Sequence, residues 1–139
     1  MPPLSVVVDT NVVVSGLLKP GGSEALILDL ARAARFTMVV SDALLREYEG
    51  VLRRPHFRIA SADIARSMRR IRETAHHVEP DACVQAARDP DDNRVLECAL
   101  AGGAQYIVTG NTRHFPSEFQ GIRVIPPRQF LVILAAESE

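Results

Sequence analysis

The sequence predicts an α/β fold in which a parallel β-sheet carries helices on both of its faces. Short continuous apolar runs are typical of strands buried on both sides, and residues 4–8 form the first such run. From Ser23 onward the apolar spacing becomes helical and marks one stripe along the segment. The stripe consists of Leu26, Ile27, Leu30, Ala31 and Ala34. Because the two patterns alternate along the chain, we expect parallel strands joined by helical crossovers.

The remaining elements follow from the same patterns and from the residues at their ends. Strands are expected at residues 4–8, 36–40, 77–79, 106–109 and 122–125. Helices are expected from residue 23, from residue 42 until shortly before Pro55, and over residues 61–75, 90–102 and 127–135. The fourth of these helices has the clearest signals, since Asp89 suits an N-cap and Pro90 the first helical position. Two glycines at positions 102 and 103 end it.

Composition limits the class of protein. The 139 residues are 47% hydrophobic and 24% charged, with a net charge of −1, and this length suits one domain over residues 1–139. Cys83 and Cys98 form no CxxC pair and are expected to be buried free thiols. The N-terminus lacks a signal-peptide pattern, and no apolar run approaches the roughly 20 residues that a membrane span needs. We therefore expect a cytoplasmic protein with no membrane partner.

Positive charge is concentrated between residues 46 and 72. This segment has eight arginines and three acids, a local balance of +5. A basic patch can hold the phosphates of a nucleic acid, whereas a solvated helix face is the commoner origin of such a run. Both interpretations remain open at this point.

Two polar residues stand directly after predicted strands. Asp9 follows the first strand, and Asn111 follows the strand at residues 106–109. Each has an ordinary structural explanation, because Asp and Gly-Asn sequences are common in turns and Asp caps helices. The two residues are candidates for a site only in combination with others.

Two further acids lie in predicted helices. Glu47 is beside the apolar face of its helix, where a pairing with Arg46 or Arg54 would explain it. Asp92 is three positions after Asp89, so it can simply serve the start of its helix. However, Asp92 shares a face with apolar residues of that helix and is therefore expected to point toward the edge of the sheet.

The combination of these residues predicts a metal site. Ligands of parallel α/β sheets bind beyond the carboxyl ends of the strands, where Asp9, Glu47, Asp92 and Asn111 can meet. Clustered carboxylates repel one another unless a cation neutralises them. Hard oxygen ligands suit Mg²⁺ or Mn²⁺, metals that typically serve phosphate chemistry.

Three segments carry a resemblance to a known family. They read "VVVDTNVVVSGLL", "SDALLREYEGVLRRPHF" and "DPDDNRVLECALAGGAQYIVTGN", and together they touch most of the chain. The chain resembles the PIN-domain ribonucleases, specifically the branch described as toxins of toxin–antitoxin pairs and related to VapC. This resemblance implies a three-layer α/β/α sandwich with a central parallel sheet and an acidic pocket at its carboxyl edge.

The resemblance also assigns roles. Asp9, Glu47 and Asp92 match the three acids of the family, which ligate Mg²⁺ or Mn²⁺ and act in catalysis. Asn111 stands where the family has a fourth aspartate, so a second metal should bind more weakly and activity should be reduced, limited to one metal, or lost. Supporting positions near the metal are matched by Asn11, Asp89 and Thr109.

Three hypotheses for function follow. The first is a metal-dependent ribonuclease that hydrolyses RNA phosphodiester bonds, acts as a homodimer and is restrained by a cognate antitoxin; its arginine-rich segment would hold the RNA backbone. The second is a catalytically weak or silent PIN-like protein that binds RNA or protein, which Asn111 favours. The third is a phosphatase with Asp9 as nucleophile, which the Asn at position 11 disfavours because such enzymes need an Asp-x-Asp pair.

Overall fold

A computed structural model describes residues 3–81, 83, 84, 87 and 89–137 of the chain. The strands of one six-stranded sheet are β1 Ser5–Val8, β2 Thr37–Val40, β3 His76–His77, β4 Tyr106–Val108, β5 Glu118–Phe119 and β6 Ile122–Ile125. The helices are α1 Thr10–Leu18, α2 Ser23–Arg32, α3 Asp42–Leu52, α4 Ser61–Thr74, α5 Pro90–Gly102 and α6 Pro127–Glu137. Two short 3₁₀ helices span Pro55–Phe57 and Thr112–His114.

The sheet is mostly parallel, with the strand order β3-β2-β1-β4-β6-β5. Only the pairing of β5 with β6 is antiparallel. Strand β1 lies at the centre between β2 and β4, in a register that places Val8 beside Val108. Helices flank this sheet, so the predicted α/β class is confirmed.

Burial explains why the first strand is the element of the sheet that the sequence predicts most directly. The side chains of Val6, Val7 and Val8 are all 0% exposed, as expected for a central strand covered on both faces. Its neighbour β2 contributes the equally buried Val39 and Val40. Together with the inward faces of the helices, these valines form one continuous core.

Helix α1 was not predicted from the sequence. Its residues Val12, Val13 and Val14 are β-branched and consecutive, so they show neither helical spacing nor a high helix propensity. All three are nevertheless buried, and the helix is capped by Asp9 in an extended conformation. Burial in the core therefore overrides local propensity here.

Smaller predictions are corrected by the structure. In α2 the buried face includes Ala25 and Ile27, whereas Leu26 is 47% exposed and Ala34 lies in an exposed turn beyond the end of the helix. The stripe is thus rotated relative to the predicted one. The expected strand at residues 77–79 begins at His76 instead, and β5 had no sequence signal.

The two cysteines are both free, but only one is buried. Cys98 lies in the core, as expected, whereas Cys83 is exposed. The prediction that both are buried was therefore wrong for Cys83, which lies before α5 and outside the packed layers. Among the described residues, no helix is long and apolar enough to cross a membrane.

Candidate functional site

Asp9 lies at the carboxyl end of β1, at the centre of the sheet, and is only 6% exposed. Its Oδ1 accepts a hydrogen bond of 2.8 Å from the Thr10 N–H, which caps helix α1. Its Oδ2 accepts one of 2.7 Å from the Thr109 hydroxyl. Burial raises the pKa of Asp9 above its ordinary value, although these two bonds and the charge of His114 act in the opposite direction. The capping role considered for Asp9 is thus real, and Oδ1 retains one lone pair beyond the capping bond.

Asn11 connects the ends of β1 and β4. Its Nδ2 lies 3.3 Å from Asp9 Oδ2 and 3.4 Å from Thr109 Oγ1. Its Oδ1 accepts a hydrogen bond of 3.1 Å from the Gly110 N–H. The supporting residues Asn11 and Thr109 therefore fix the orientation of the Asp9 carboxylate from two sides.

Glu47 reaches the same region from α3. Its Oε2 accepts a hydrogen bond from the Thr10 hydroxyl. The next residue, Tyr48, is fully buried and donates its hydroxyl proton to the Val8 carbonyl, which ties α3 to the end of β1. The pairing of Glu47 with Arg46 or Arg54 was therefore the wrong structural explanation. Among the described residues, the partner of Glu47 is Thr10.

The electrostatics of Glu47 place it among other acids. Burial raises the pKa of Glu47, the bond from Thr10 lowers it, and the charges of Asp91, Asp9 and Asp92 raise it further. Glu49, two positions along the same helix, behaves in the opposite way. Its hydrogen bonds with Arg53 (3.1 Å) and Arg72 (3.3 Å) lower its pKa.

Helix α5 begins as the sequence predicts. Asp89 is the exposed N-cap and accepts a hydrogen bond of 2.9 Å from the Asp91 N–H. Two buried side chains of the helix, Asn93 and Glu97, accept backbone N–H bonds of 2.8 Å and 2.9 Å from the segment that precedes it. These contacts hold the first turn of α5, and with it Asp92, in a fixed place.

Asp92 has a strongly raised pKa. Burial and the charges of Asp9 and Asp89 raise its pKa to about 6, while His114 acts in the opposite direction. The charge of Asp9 raises the pKa values of both Glu47 and Asp92, and that of Asp92 raises the pKa of Glu47, so the three carboxylates lie near one another at this edge of the sheet.

Asn111 is placed differently from the three acids. It is exposed, and its backbone N–H donates a hydrogen bond of 3.0 Å to Thr109 Oγ1. Within the described ranges its side chain makes no hydrogen bond. The structure thus puts Asn111 beside Thr109, exposed to solvent.

Two residues near the acids were missed by the sequence analysis. The Nδ1 of His114 lies 3.8 Å from Asp92 Oδ2, and Thr10 binds Glu47. The four histidines of the chain show no metal-ligand spacing in the sequence, so spacing gave no signal for His114. Its position three residues after Asn111, in the loop that leaves a predicted strand, was the available signal.

The donor set is suited to a hard divalent cation. In the part of the chain that the structure describes, no three His, Cys, Asp or Glu side chains lie close enough to hold a metal ion. The charges of neighbouring acids nevertheless raise the pKa values of Glu47 and Asp92, and among the described residues the basic group that lowers the pKa values of Asp9 and Asp92 is His114. Carboxylates that raise one another's pKa are stabilised when a cation is bound between them.

Comparison with known proteins identifies the class. The family model described as "PIN domain" matches residues 5–113, so the chain belongs to the PIN-domain family. PIN domains are generally nucleases, which supports a hydrolase in general, and such nucleases usually use divalent metals.

The chain is also similar to an individual relative and to a solved structure, and the latter bears on the fold. An uncharacterized protein of Methanocaldococcus jannaschii, MJ1680, is 28% identical over 111 residues, which are 78% of this chain and 71% of the relative. The crystal structure of PAE2754 from Pyrobaculum aerophilum is similar with a TM-score of 0.65 and 17% identity, covering 96% of this chain and 90% of that chain. At this identity the likeness supports the fold alone.

Proposed function

We propose that this protein is a metal-dependent ribonuclease that hydrolyses RNA phosphodiester bonds. The observation that carries the proposal is the set of three acids at the carboxyl edge of the sheet, in a chain of the PIN-domain family. Asp9 directly follows β1, Glu47 lies in α3 and Asp92 lies in α5. Residues so far apart in the sequence meet only because the fold brings them together, and their electrostatic conflict is the kind that functional sites maintain.

Asp9, Glu47 and Asp92 would hold the cation, with Mg²⁺ and Mn²⁺ as the matching ions. When bound, such an ion supplies a water of lowered pKa and stabilises charge on the reacting phosphate. Asp9 and Asp92 are the main ligands in this proposal. Glu47 either ligates or accepts the proton of the attacking water, since its Oε1 is not engaged by Thr10.

The remaining predicted residues act through these acids. Thr109 and Asn11 orient Asp9 by the hydrogen bonds of 2.7 Å and 3.3 Å. Asp89 caps α5 and so positions Asp92. Asn111 offers a carbonyl oxygen without charge, so we propose a site that holds one ion more firmly than a second.

The proposal includes the biological setting that the sequence motifs imply. The protein would act as the toxin of a toxin–antitoxin pair, as a homodimer in the cytoplasm, and a small cognate antitoxin would restrain it. The support is the resemblance of the three quoted segments to VapC-related toxins. A size measurement in solution and co-purification with the product of the neighbouring open reading frame test these two partners.

A catalytically silent RNA- or protein-binding protein is the second candidate. The observations that favour it are the exposed Asn111, whose amide has no hydrogen-bond partner among the described residues, and the lack, within those residues, of three acids at metal-binding distance. On this alternative the acids would be remnants of a nuclease site.

Cleavage of single-stranded RNA in Mg²⁺ or Mn²⁺ separates the two candidates. We expect the wild type to cut and Asp92→Asn to lose nearly all activity. Asp29→Asn is the matched control, because Asp29 is exposed and pairs only with the neighbouring Arg32. Cleavage that continues in EDTA or in Asp92→Asn would contradict the nuclease, and a wild type that binds RNA without cutting it would support the silent alternative.

A further inference from the structure

The loop that follows β4 is fixed at both ends. At its start, the Gly110 N–H donates a hydrogen bond of 3.1 Å to Asn11 Oδ1. Toward its end, the His114 N–H donates one of 3.0 Å to the Asn111 carbonyl, and the next residue, Phe115, is buried. Residues 110–114 are therefore held in a defined position beside Asp9.

This loop lines a concavity of about 190 Å³ formed by residues 110–114. Arg113 and His114 are both exposed at its wall. Since His114 Nδ1 lies 3.8 Å from Asp92 Oδ2, the concavity opens next to the acids of the candidate site. A ligand bound at those acids would extend into it.

The acids of the candidate site are surrounded by negative charge. A polyanion that binds there therefore needs a further contact with a positively charged group. Apart from His114, the charged groups that shift the pKa values of Asp9, Glu47 and Asp92 are all carboxylates. A bound cation offsets their repulsion at one phosphate only. An RNA strand has further phosphates on either side, and these need positive groups of their own.

Arg113 has the free charge that such a contact requires. Its guanidinium makes no hydrogen bond or ion pair with any residue that the structure describes, and it carries five donors in a geometry that matches phosphate. Other arginines, such as Arg53 and Arg66, are engaged by acids on the helix surface. Arg113 is available without breaking any such pair.

The arginines of α4 are placed less favourably. Arg70 lines a separate cavity of about 260 Å³, which also includes Gly16 and Met38. Gly16 is seven residues from Asp9 along α1, roughly 10 Å at the helical rise. That cavity therefore lies toward the far end of α1 from the acids.

We propose that Arg113 binds a backbone phosphate of single-stranded RNA, adjacent to the phosphate that is cleaved. The phosphate that Arg113 binds would lie in the concavity formed by residues 110–114. This inference rests on the proposed ribonuclease function and names a positioning residue for it. Phosphate contacts of this kind fix the register of a strand without reading its sequence.

The test measures RNA affinity apart from cleavage. Fluorescein-labelled single-stranded RNA is titrated with protein in Ca²⁺ in place of Mg²⁺, at several KCl concentrations, and a gel verifies that the RNA stays intact. We expect Arg113→Gln to weaken binding about tenfold, as for loss of one charge-assisted hydrogen bond. The slope of log K against log[KCl] should decrease in magnitude by about 0.7, the value for one phosphate contact on a single strand.

Matched variants make the result specific. Arg113→Lys retains the charge and should keep the wild-type salt slope. Arg32→Gln removes another exposed arginine, which lies at the end of α2 and pairs with Asp29, and should leave both affinity and slope unchanged. An Arg113→Gln variant with wild-type affinity and slope would overturn the inference, as would an equal loss in Arg69→Gln.

The outcomes also separate this inference from the function on which it rests. Binding that depends on Arg113, in a wild type that does not cut RNA in Mg²⁺ or Mn²⁺, overturns the nuclease and keeps the contact. Cleavage by the wild type with no effect of Arg113→Gln on binding overturns the contact alone. A wild type that binds no RNA overturns both.

Discussion

Thr109 Oγ1 donates a hydrogen bond of 2.7 Å to Asp9 Oδ2, and the two residues lie 100 positions apart in the sequence. Their strands are neighbours, since Val8 of β1 is in register with Val108 of β4. The bond therefore joins the first residue beyond one central strand to the first residue beyond the next. It fixes a buried carboxylate where the two strands end.

The first prediction concerns this bond. Thr109→Val has nearly the same shape but lacks the hydroxyl, so it should lower the free energy of unfolding by about 1–3 kcal/mol. Urea unfolding of Thr109→Val, Asp9→Ala and the double variant gives the coupling between the two side chains. We expect a coupling of about 0.5–3 kcal/mol. Strictly additive effects would show that the bond contributes nothing to stability.

The second prediction concerns the pH dependence of stability without metal. Asp92 has a pKa of about 6 when folded, against an ordinary value of 3.8. The folded state thus binds the proton more tightly, so this contribution to stability is complete at low pH and is lost as the pH rises through about 6. Asp92→Asn should match the wild type near pH 4 and exceed its stability at pH 7.5, by on the order of 1 kcal/mol after screening. A difference that does not change with pH in EDTA would contradict this.

The third prediction is that bound metal makes the wild type more stable than Asp92→Asn, the reverse of the order expected without metal. An ion that binds only the folded protein stabilises it by about 2.7 kcal/mol at one hundred times its dissociation constant. Mn²⁺ at pH 7.5 should therefore raise the melting temperature of the wild type but not that of Asp92→Asn. KCl at equal ionic strength serves as the control for screening. Equal shifts in both variants would show that Mn²⁺ binds elsewhere.

The fourth prediction concerns the missing fourth acid. Asn111→Asp adds a charge beside Thr109 and should lower the Mn²⁺ concentration needed for half-maximal RNA cleavage by roughly tenfold, because ligand charge sets affinity. Asn111→Ser changes the same position without adding charge and should not do so. If only Asn111→Asp cuts RNA, the natural protein is a silent member of the family. An unchanged metal requirement would place residue 111 outside the site.

The fifth prediction tests packing with two helical glycines. A Cβ on Gly102 would lie 2.4 Å from Val39 Cγ1, inside the core, so Gly102→Ala should cost about 1–3 kcal/mol. A Cβ on Gly50, which lies on the exposed side of α3, meets nothing within 4 Å. Gly50→Ala should therefore raise the free energy of unfolding by about 0.4–1 kcal/mol. Urea midpoints measure both. Similar effects at the two positions would show that the contact with Val39 relaxes freely.

The sequence predicts those parts of the fold that local pattern determines. The run Val6–Val8 identifies the central strand because every residue in it is buried, and Asp89 with Pro90 marks the start of α5 through capping chemistry. Helix α1 is not predictable in this way, since Val12–Val14 become helical only through tertiary burial. The exposed face of α2 at Leu26 likewise depends on which neighbours the helix meets.

The candidate site likewise has features that the sequence pattern predicts and features that depend on tertiary contacts. The positions of Asp9 and Asn111 after strands follow from the pattern, so their presence at the carboxyl edge was predictable. The hydrogen bond from Thr10 to Glu47 and the approach of His114 to Asp92 were not, because each joins segments whose spatial order the sequence leaves open. The exposure of Asn111 depends on the loop conformation, which the sequence does not predict either.

The central place of β1 also has a consequence for synthesis of the chain on the ribosome. The first strand to emerge must wait for β4, about 100 residues later, before its second edge is paired and Asp9 meets Thr109. Asp92, on the intervening α5, also arrives late. Asp9 and Glu47 can approach each other once α3 has formed, whereas Asp92 joins them only after α5 has been translated. Whatever chemistry needs all three acids therefore begins only after translation of α5.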